Sequence, residues 1–196
     1  MRQIYLDYNA TTPIAPSVYE AMIPFLTRHY GNPSSHHAQG RICRQAIEDA
    51  REQVATLLGA QPDEVYFTSG GTESNNLALK GSTQGPESFH GHIVISSIEH
   101  PAITEPARYL EQMGCSVTIE PTDSDGVVDP NEVERHLRDD TLLCSIMHAN
   151  NEIGTIQPIQ EISKRCHRHG VMVHTDAAQS VGKVRTVVDQ LGVDLL

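Results

Sequence analysis

From Val65 onward, short runs rich in β-branched residues recur roughly every 25 residues, and each is followed by a stretch with helical spacing. Val65-Tyr66-Phe67-Thr68, Ile93-Val94-Ile95-Ser96-Ser97, Val117-Thr118-Ile119, Leu142-Leu143-Cys144-Ser145-Ile146-Met147 and Val171-Met172-Val173 are the runs in question. Near-continuous apolar strands alternating with helices specify an α/β fold, with a mainly parallel sheet and helices on both faces. Right-handed crossovers then bring the loops that leave the strands to one edge of the sheet.

The intervening helices are legible from period and punctuation. A helix over 16–30 carries Val18, Ala21, Met22 and Phe25 on one face and ends in Gly31-Asn32-Pro33-Ser34-Ser35. A longer one over 42–58 aligns Ile42, Ala46, Ala50, Val54 and Leu57 and meets Gly59 where a C-terminal cap belongs. Pro101 suits the start of a helix, and Pro106 is expected to kink it or delay its first regular turn. Asp129-Pro130 opens a helix around Val133 and Leu137, and a helix over 159–169 is closed by Gly170. At the N-terminus, Ile4-Tyr5-Leu6-Asp7-Tyr8 alternates like a short strand and leads into the polar loop Asn9-Ala10-Thr11-Thr12-Pro13.

Charge narrows the partners. A net charge of -11 excludes the basic footprint that nucleic acid or an anionic membrane requires, and 38% hydrophobic with 20% charged residues fits a soluble globular chain. Cys43, Cys115, Cys144 and Cys166 form no CxxC pair, so neither a disulfide framework nor a zinc site is expected. With no apolar leader over 1–19 and no run of membrane-spanning length, a cytoplasmic location is expected.

Four stretches at strand ends carry chemistry. Asp176, in His174-Thr175-Asp176-Ala177-Ala178-Gln179-Ser180, places a carboxylate where open α/β sheets bind ligands. A buried carboxylate needs a cation, and the protonated ring nitrogen of pyridoxal phosphate is one that an Asp commonly meets. The alternative is that Asp176 caps a helix. Ser69-Gly70-Gly71-Thr72-Glu73-Ser74-Asn75-Asn76 runs into the helical Leu77-Ala78-Leu79-Lys80; free amides at a glycine-rich helix start suit a phosphate, though an ordinary capped turn has the same composition. It is not a nucleotide fingerprint, because GxGxxG and GxxxxGK[ST] are both absent. His100, in Glu99-His100-Pro101, is either a stacking or proton-transfer group or a polar loop residue. Asn150-Asn151 offers amide donors or simply a turn.

Together with Gly31-Asn32-Pro33-Ser34-Ser35, the stretches Tyr5-Leu6-Asp7-Tyr8-Asn9-Ala10-Thr11-Thr12-Pro13, Phe67 to Asn76, Met147-His148-Ala149-Asn150-Asn151-Glu152-Ile153-Gly154 and His174 to Lys183 resemble the cysteine desulfurases. These are class V aminotransferase-family enzymes of pyridoxal phosphate fold type I. The resemblance implies pyridoxal 5′-phosphate as cofactor, with Gly71 and Thr72 on its phosphate and His100 stacked on the ring as a catalytic group. It also implies Asn151 and Gln179 at the ring hydroxyl, Asp176 at the ring nitrogen, and Asn9, Ala10, Thr11 and Thr12 near an L-cysteine substrate. The implied reaction turns L-cysteine into L-alanine and passes sulfur to an enzyme persulfide, for iron–sulfur clusters or thiolated cofactors. A homodimer and a sulfur-acceptor or scaffold protein are the implied partners.

The same resemblance assigns residues 1–15 to a small domain at the active-site mouth and 16–196 to the cofactor-binding large domain. The family's Schiff-base lysine, in a Ser-x-His-Lys motif, and its persulfide cysteine have no match among the 196 residues; Lys80, Lys164 and Lys183 stand in other contexts. Lys183, seven residues after Asp176, is expected in the next loop. Val193-Asp194-Leu195-Leu196 reads as a strand begun and cut inside the domain, with an open, self-associating edge expected there. A non-catalytic fragment or scaffold, or another class V enzyme such as a selenocysteine lyase or a kynureninase-like enzyme, is the alternative.

Overall fold

The four apolar runs between residues 92 and 174 become parallel strands: β1 (His92–Ser96), β2 (Ser116–Glu120), β3 (Thr141–Ser145) and β4 (Met172–His174), in the spatial order β2-β1-β3-β4. They belong to the second of two units, Met1–Val65 and Tyr66–Leu196, in a computed structural model that describes residues 4–83 and 89–196.

Successive side chains of a strand point to opposite faces, and the core divides accordingly. Ile93, Ile95 and Leu143 pack on Leu79 of α3 (Gly71–Thr83) and on Ile103, Ala107 and Leu110 of α4 (Pro101–Gln112). Val94, Cys144 and Val173 face the other way, onto Val133 of α5 (Pro130–His136) and Ile159, Ile162 and Cys166 of α6 (Ile159–Arg168). All five residues of β1 are therefore buried, and the expected sheet with helices on both faces is what forms. Each fully buried Leu or Ile in these layers stabilises the fold by roughly 1.5–3 kcal/mol.

α4 starts at Pro101 without delay and is unbroken through Pro106, whose ring is buried in the core layer. Apolar packing there offsets the helical hydrogen bond that a proline cannot donate.

Two expected strands are absent. Val65 has extended backbone angles, but residues 65–68 pair with no strand among the described residues, and Tyr66 and Phe67 are exposed. Residues 4–7 likewise alternate without a ladder partner. A pattern of period two is necessary for a strand and not sufficient, because the backbone groups must be satisfied by a neighbour.

At the other end, the strand expected to begin at Val193 meets the sheet beside β4. His174 and Leu195 form a parallel bridge, Thr175 N–H donates to the Leu195 carbonyl at 3.0 Å, and the Asp194 carboxylate accepts Val173 N–H at 2.7 Å. Residues 194–195 thus occupy the side of β4 away from β3, after the short helix α7 (Val188–Leu191).

In the unit Met1–Val65, of which residues 1–3 lie outside the described residues, α1 spans Pro16–Thr27 and α2 spans Ala38–Leu58. α1 is shorter than expected because the Pro24 carbonyl takes both Arg28 and His29 N–H and closes the last turn. None of its residues is buried. α2 starts earlier than expected, capped by His37, whose Nδ1 accepts Gly40 N–H at 3.3 Å. A Cβ on Gly40 would fall 2.4 Å from the Ser35 carbonyl oxygen and 2.6 Å from that of Asn32, so the 31–35 turn can lie against α2 only with glycine there. Of the expected apolar face, Ala46, Ala50 and Val54 are partly covered and Ile42 and Leu57 are exposed; Cys43 and Ala55, on the neighbouring positions, are buried instead. Gly59 caps the helix with φ 72°, as its position predicts.

Candidate active site

Parallel strands present their carboxyl ends at one edge, so the segments leaving β1, β3 and β4 share that edge. α3 is joined to it by one side-chain bond. The buried Asn75 donates from Nδ2 to Asp176 Oδ2 at 2.8 Å, while Ala178 N–H donates to Oδ1 at 3.0 Å. Each carboxylate oxygen thus has one protein donor and keeps a lone pair for another. Residues 178–183 form turns, so Asp176 closes an Asx-type turn and caps no helix.

Asn75 was not singled out by sequence. Its signal was position: it stands three residues after Thr72, on the same side of the helix. Asn75→Ala is expected to lower stability by roughly 1.5–3 kcal/mol, the range for a hydrogen bond to a charged group. Equilibrium denaturant unfolding checks this, and an unchanged midpoint would show that the bond contributes nothing.

Helix α3 begins at Gly71, six residues before the apolar stretch that suggested it. Gly71 and Thr72 are its first residues, whose N–H groups have no intrahelical partner. A Cβ added at Gly70 or Gly71 would meet nothing within 4 Å, so the space over this turn is open. The nearby Glu73 carboxylate accepts Ser69 N–H at 2.7 Å and the Ser69 hydroxyl at 2.5 Å, and these bonds hold it below the usual carboxylate range. Its charge is engaged by Ser69, which leaves the first amides of α3 free to meet an anion.

His100 is the N-cap of α4. Its Nδ1 accepts Ala102 N–H at 3.0 Å, which leaves the neutral ring's hydrogen on Nε2 and its exposed face at the strand-end edge. Asn151 lies in a turn that Asn150 builds: Asn150 Oδ1 accepts Glu152 and Ile153 N–H at 2.8 and 3.0 Å, and its Nδ2 donates to the Ile98 carbonyl at 3.1 Å. Gln179 follows Asp176 by one turn, and Lys183 Nζ donates to its Oε1 at 2.6 Å. Lys183 lies in the turns that follow Asp176, as expected, and its side chain reaches back to Gln179. Asn9, Ala10, Thr11 and Thr12 lie in the other unit, in a turn where Ala10 and Thr11 N–H reach the Asp7 carbonyl and Tyr5 Oη meets Thr11 Oγ1 at 2.8 Å.

Beneath the edge are two ionisable groups that sequence reasoning passed over. Glu99 is buried, and burial pushes its carboxyl up to about 7, with the Asp176 charge acting in the same direction. His174, bonded through Nδ1 to Ser145 Oγ at 2.8 Å, is pulled down to about 4 by burial, against the attraction of Asp176. Near neutral pH His174 is an uncharged ring below the site. Neither residue has a sequence signature, since each belongs to an ordinary strand or strand end and becomes special through enclosure.

Comparison with known proteins gives this arrangement a context. The aminotransferase class-V family model matches residues 4–196. The chain is 54% identical, over 195 residues, to a protein of Dictyoglomus turgidum named cysteine desulfurase IscS, covering 100% of this chain and 50% of that one. Among solved structures, a NifS-like protein superposes with a TM-score of 0.94 at 42% identity, covering 98% of this chain and 53% of its own. A protein described as SspA in complex with cysteine superposes with a TM-score of 0.94 at 41% identity, with 97% and 55% coverage. The chain spans about half the length of the curated relatives it matches.

Proposed function

The chain belongs to the aminotransferase class-V family, and from that membership we propose that its strand-end crevice holds pyridoxal 5′-phosphate as the cofactor half of a cysteine desulfurase. The bond between Asn75 and Asp176 carries the reading, because it fixes an anion-ready helix start and a ring-nitrogen acceptor at one edge. The donor chemistry fits the group: open amides at Gly71 and Thr72 suit its phosphate, and the remaining lone pairs of Asp176 suit a protonated ring nitrogen.

Bound there, the cofactor supplies an electron sink for chemistry at the substrate α-carbon. Gly71 and Thr72 would bind its phosphate, and Asp176, oriented by Asn75 and Ala178, would accept a hydrogen bond from the protonated ring nitrogen and keep it protonated. His100, its orientation fixed by the cap on α4, would stack on the ring. Asn151 and Gln179 would hold the ring hydroxyl, and Asn9, Ala10, Thr11 and Thr12 would serve the L-cysteine substrate. Assignment of 1–15 to a small domain and of 16–196 to the cofactor-binding domain belongs to the same proposal. In the full-length reaction a cysteine thiolate of the family's C-terminal half, which has no match among these 196 residues, would attack the substrate sulfur. The C–S electron pair would go to the substrate carbon and, with a proton, give alanine, and the enzyme persulfide would pass its sulfur to an acceptor or scaffold protein that serves iron–sulfur or thio-cofactor synthesis. Homodimerisation belongs to the same proposal, as does a reducing cytoplasmic location, which the four free cysteines support. Among the described residues no helix is long and apolar enough to cross a membrane.

A chimera tests the reading. Residues 1–196 replace the matching half of the Dictyoglomus turgidum protein, and pyridoxal phosphate-dependent alanine formation from L-cysteine is expected. The 196-residue chain alone is expected to form no alanine above the background of free pyridoxal phosphate, with or without Lys183→Ala. A folded but inert chimera would overturn the assignment, and turnover by the isolated chain that vanishes in Lys183→Ala would show that Lys183 acts as the cofactor lysine.

A further inference from the structure

The side chain of Glu99 spans two arms of the crevice. Its Oε1 accepts the Ser96 hydroxyl at 2.5 Å, at the end of β1, and the Met147 backbone N–H at 2.8 Å, just beyond β3. Residues on either side of these contacts carry the proposed site. His100 is the next residue after Glu99, and Asn151 lies near the start of the turn over 150–154 that follows Met147. A second tie runs parallel, from Asn150 Nδ2 to the Ile98 carbonyl. The residue is 8% exposed, and its other oxygen, Oε2, is buried with no hydrogen-bond partner.

We propose that Glu99 is a positioning residue of the crevice, the tie that sets the separation between the His100 arm and the Asn151 arm. The proposal rests on reading the crevice as the pyridoxal phosphate site.

A carboxyl with two donors on one oxygen and none on the other is best satisfied as the neutral acid, with its proton on Oε2, because a second unsolvated anionic oxygen would be costly. The titratable groups that face it favour the same state. Asp176, beyond β4, repels a negative charge at Glu99, and the Cys144 thiol on β3, pushed up by Cys166 and by burial, stays uncharged and supplies no cation. Glutamine reproduces the acid's shape, with an acceptor for Ser96 and Met147 and a neutral group at the Oε2 position. Alanine removes the tie altogether.

Two measurements on the chain decide the matter. The first needs no ligand: the Met147 amide resonance is expected to move with pH through a midpoint near neutrality, and to be pH-independent in Glu99→Gln. The second uses pyridoxine 5′-phosphate, an alcohol that reports non-covalent contacts alone. Glu99→Ala is expected to weaken its binding by roughly tenfold or more, and Glu99→Gln to restore it to within about threefold of wild type. Equal affinity of the alanine variant and wild type, or a Met147 resonance that titrates alike in wild type and the glutamine variant, would overturn the proposal. Should Glu99→Ala fail to fold, the glutamine comparison alone decides. A wild-type chain that binds no pyridoxine 5′-phosphate overturns the cofactor reading, and the tie is then judged by the amide resonance.

Discussion

Replacing Asp176 by alanine is expected to lower alanine formation by the chimera by roughly 10²-fold or more, the factor that corresponds to breaking a partly buried charge pair worth about 3 kcal/mol. The effect is large because the carboxylate is the proposed partner of the ring nitrogen and its two protein donors would be left facing an empty volume. Asp176→Asn separates charge from shape: it keeps the volume, loses the negative charge, and turns one acceptor into a donor that opposes Asn75. Its loss should approach that of alanine. Asn75→Ala is expected to cost less, since Ala178 still orients one oxygen. Steady-state alanine formation checks the series, and an Asp176→Ala chimera within about tenfold of its parent would remove Asp176 from the ring-nitrogen role.

Opposed pH dependences are expected from the two buried groups under the site. Glu99 sits at about 7 in the fold against 4.5 unfolded, so its contribution is full at low pH and is lost as pH rises from 4.5 to 7. His174 sits at about 4 against 6.5, so its contribution is full at high pH and is lost as pH falls from 6.5 to 4. Each shift corresponds to roughly 3 kcal/mol. Between 4.5 and 6.5 the two slopes cancel, and the wild-type chain should show little net dependence from this pair. Single substitutions expose them. Relative to wild type, Glu99→Gln should gain roughly 3 kcal/mol as pH rises through its window, and His174→Asn should gain a similar amount as pH falls through the other. Denaturant unfolding across the range reads both differences, and two pH-independent differences would show that neither group is shifted by burial.

Legibility in the sequence followed the range of the interaction concerned. β1 was visible as an apolar run because both of its faces are covered, and β3 nearly so, so no polar alternation interrupts the pattern. β2 and β4, nearer the edges, keep Ile119 and Met172 exposed and were legible from their β-branched and apolar residues. The helix boundaries that sequence placed well were those fixed within a few residues, by Pro101 at the start of α4, Asp129 at α5 and Gly59 after α2. Residues 4–8 and 65–68 misled for the converse reason. Their period is right for a strand, yet a strand exists only where a neighbour supplies the other half of each hydrogen bond.

By itself the sequence determined the winding of sheet and helices, and hence that the segments carrying His100, Asn151, Asp176 and Gln179 leave their strands toward a common edge, because strand direction and crossover handedness are set by local chirality and pattern. Tertiary structure alone decided that Asn75 holds Asp176 across 101 positions of chain, that Lys183 turns back onto Gln179, and that Glu99 ties the ends of β1 and β3. Those are contacts between groups whose residue types are ordinary. Their character comes from enclosure, where desolvation raises the cost of an unpartnered polar atom and so selects which neighbours must meet.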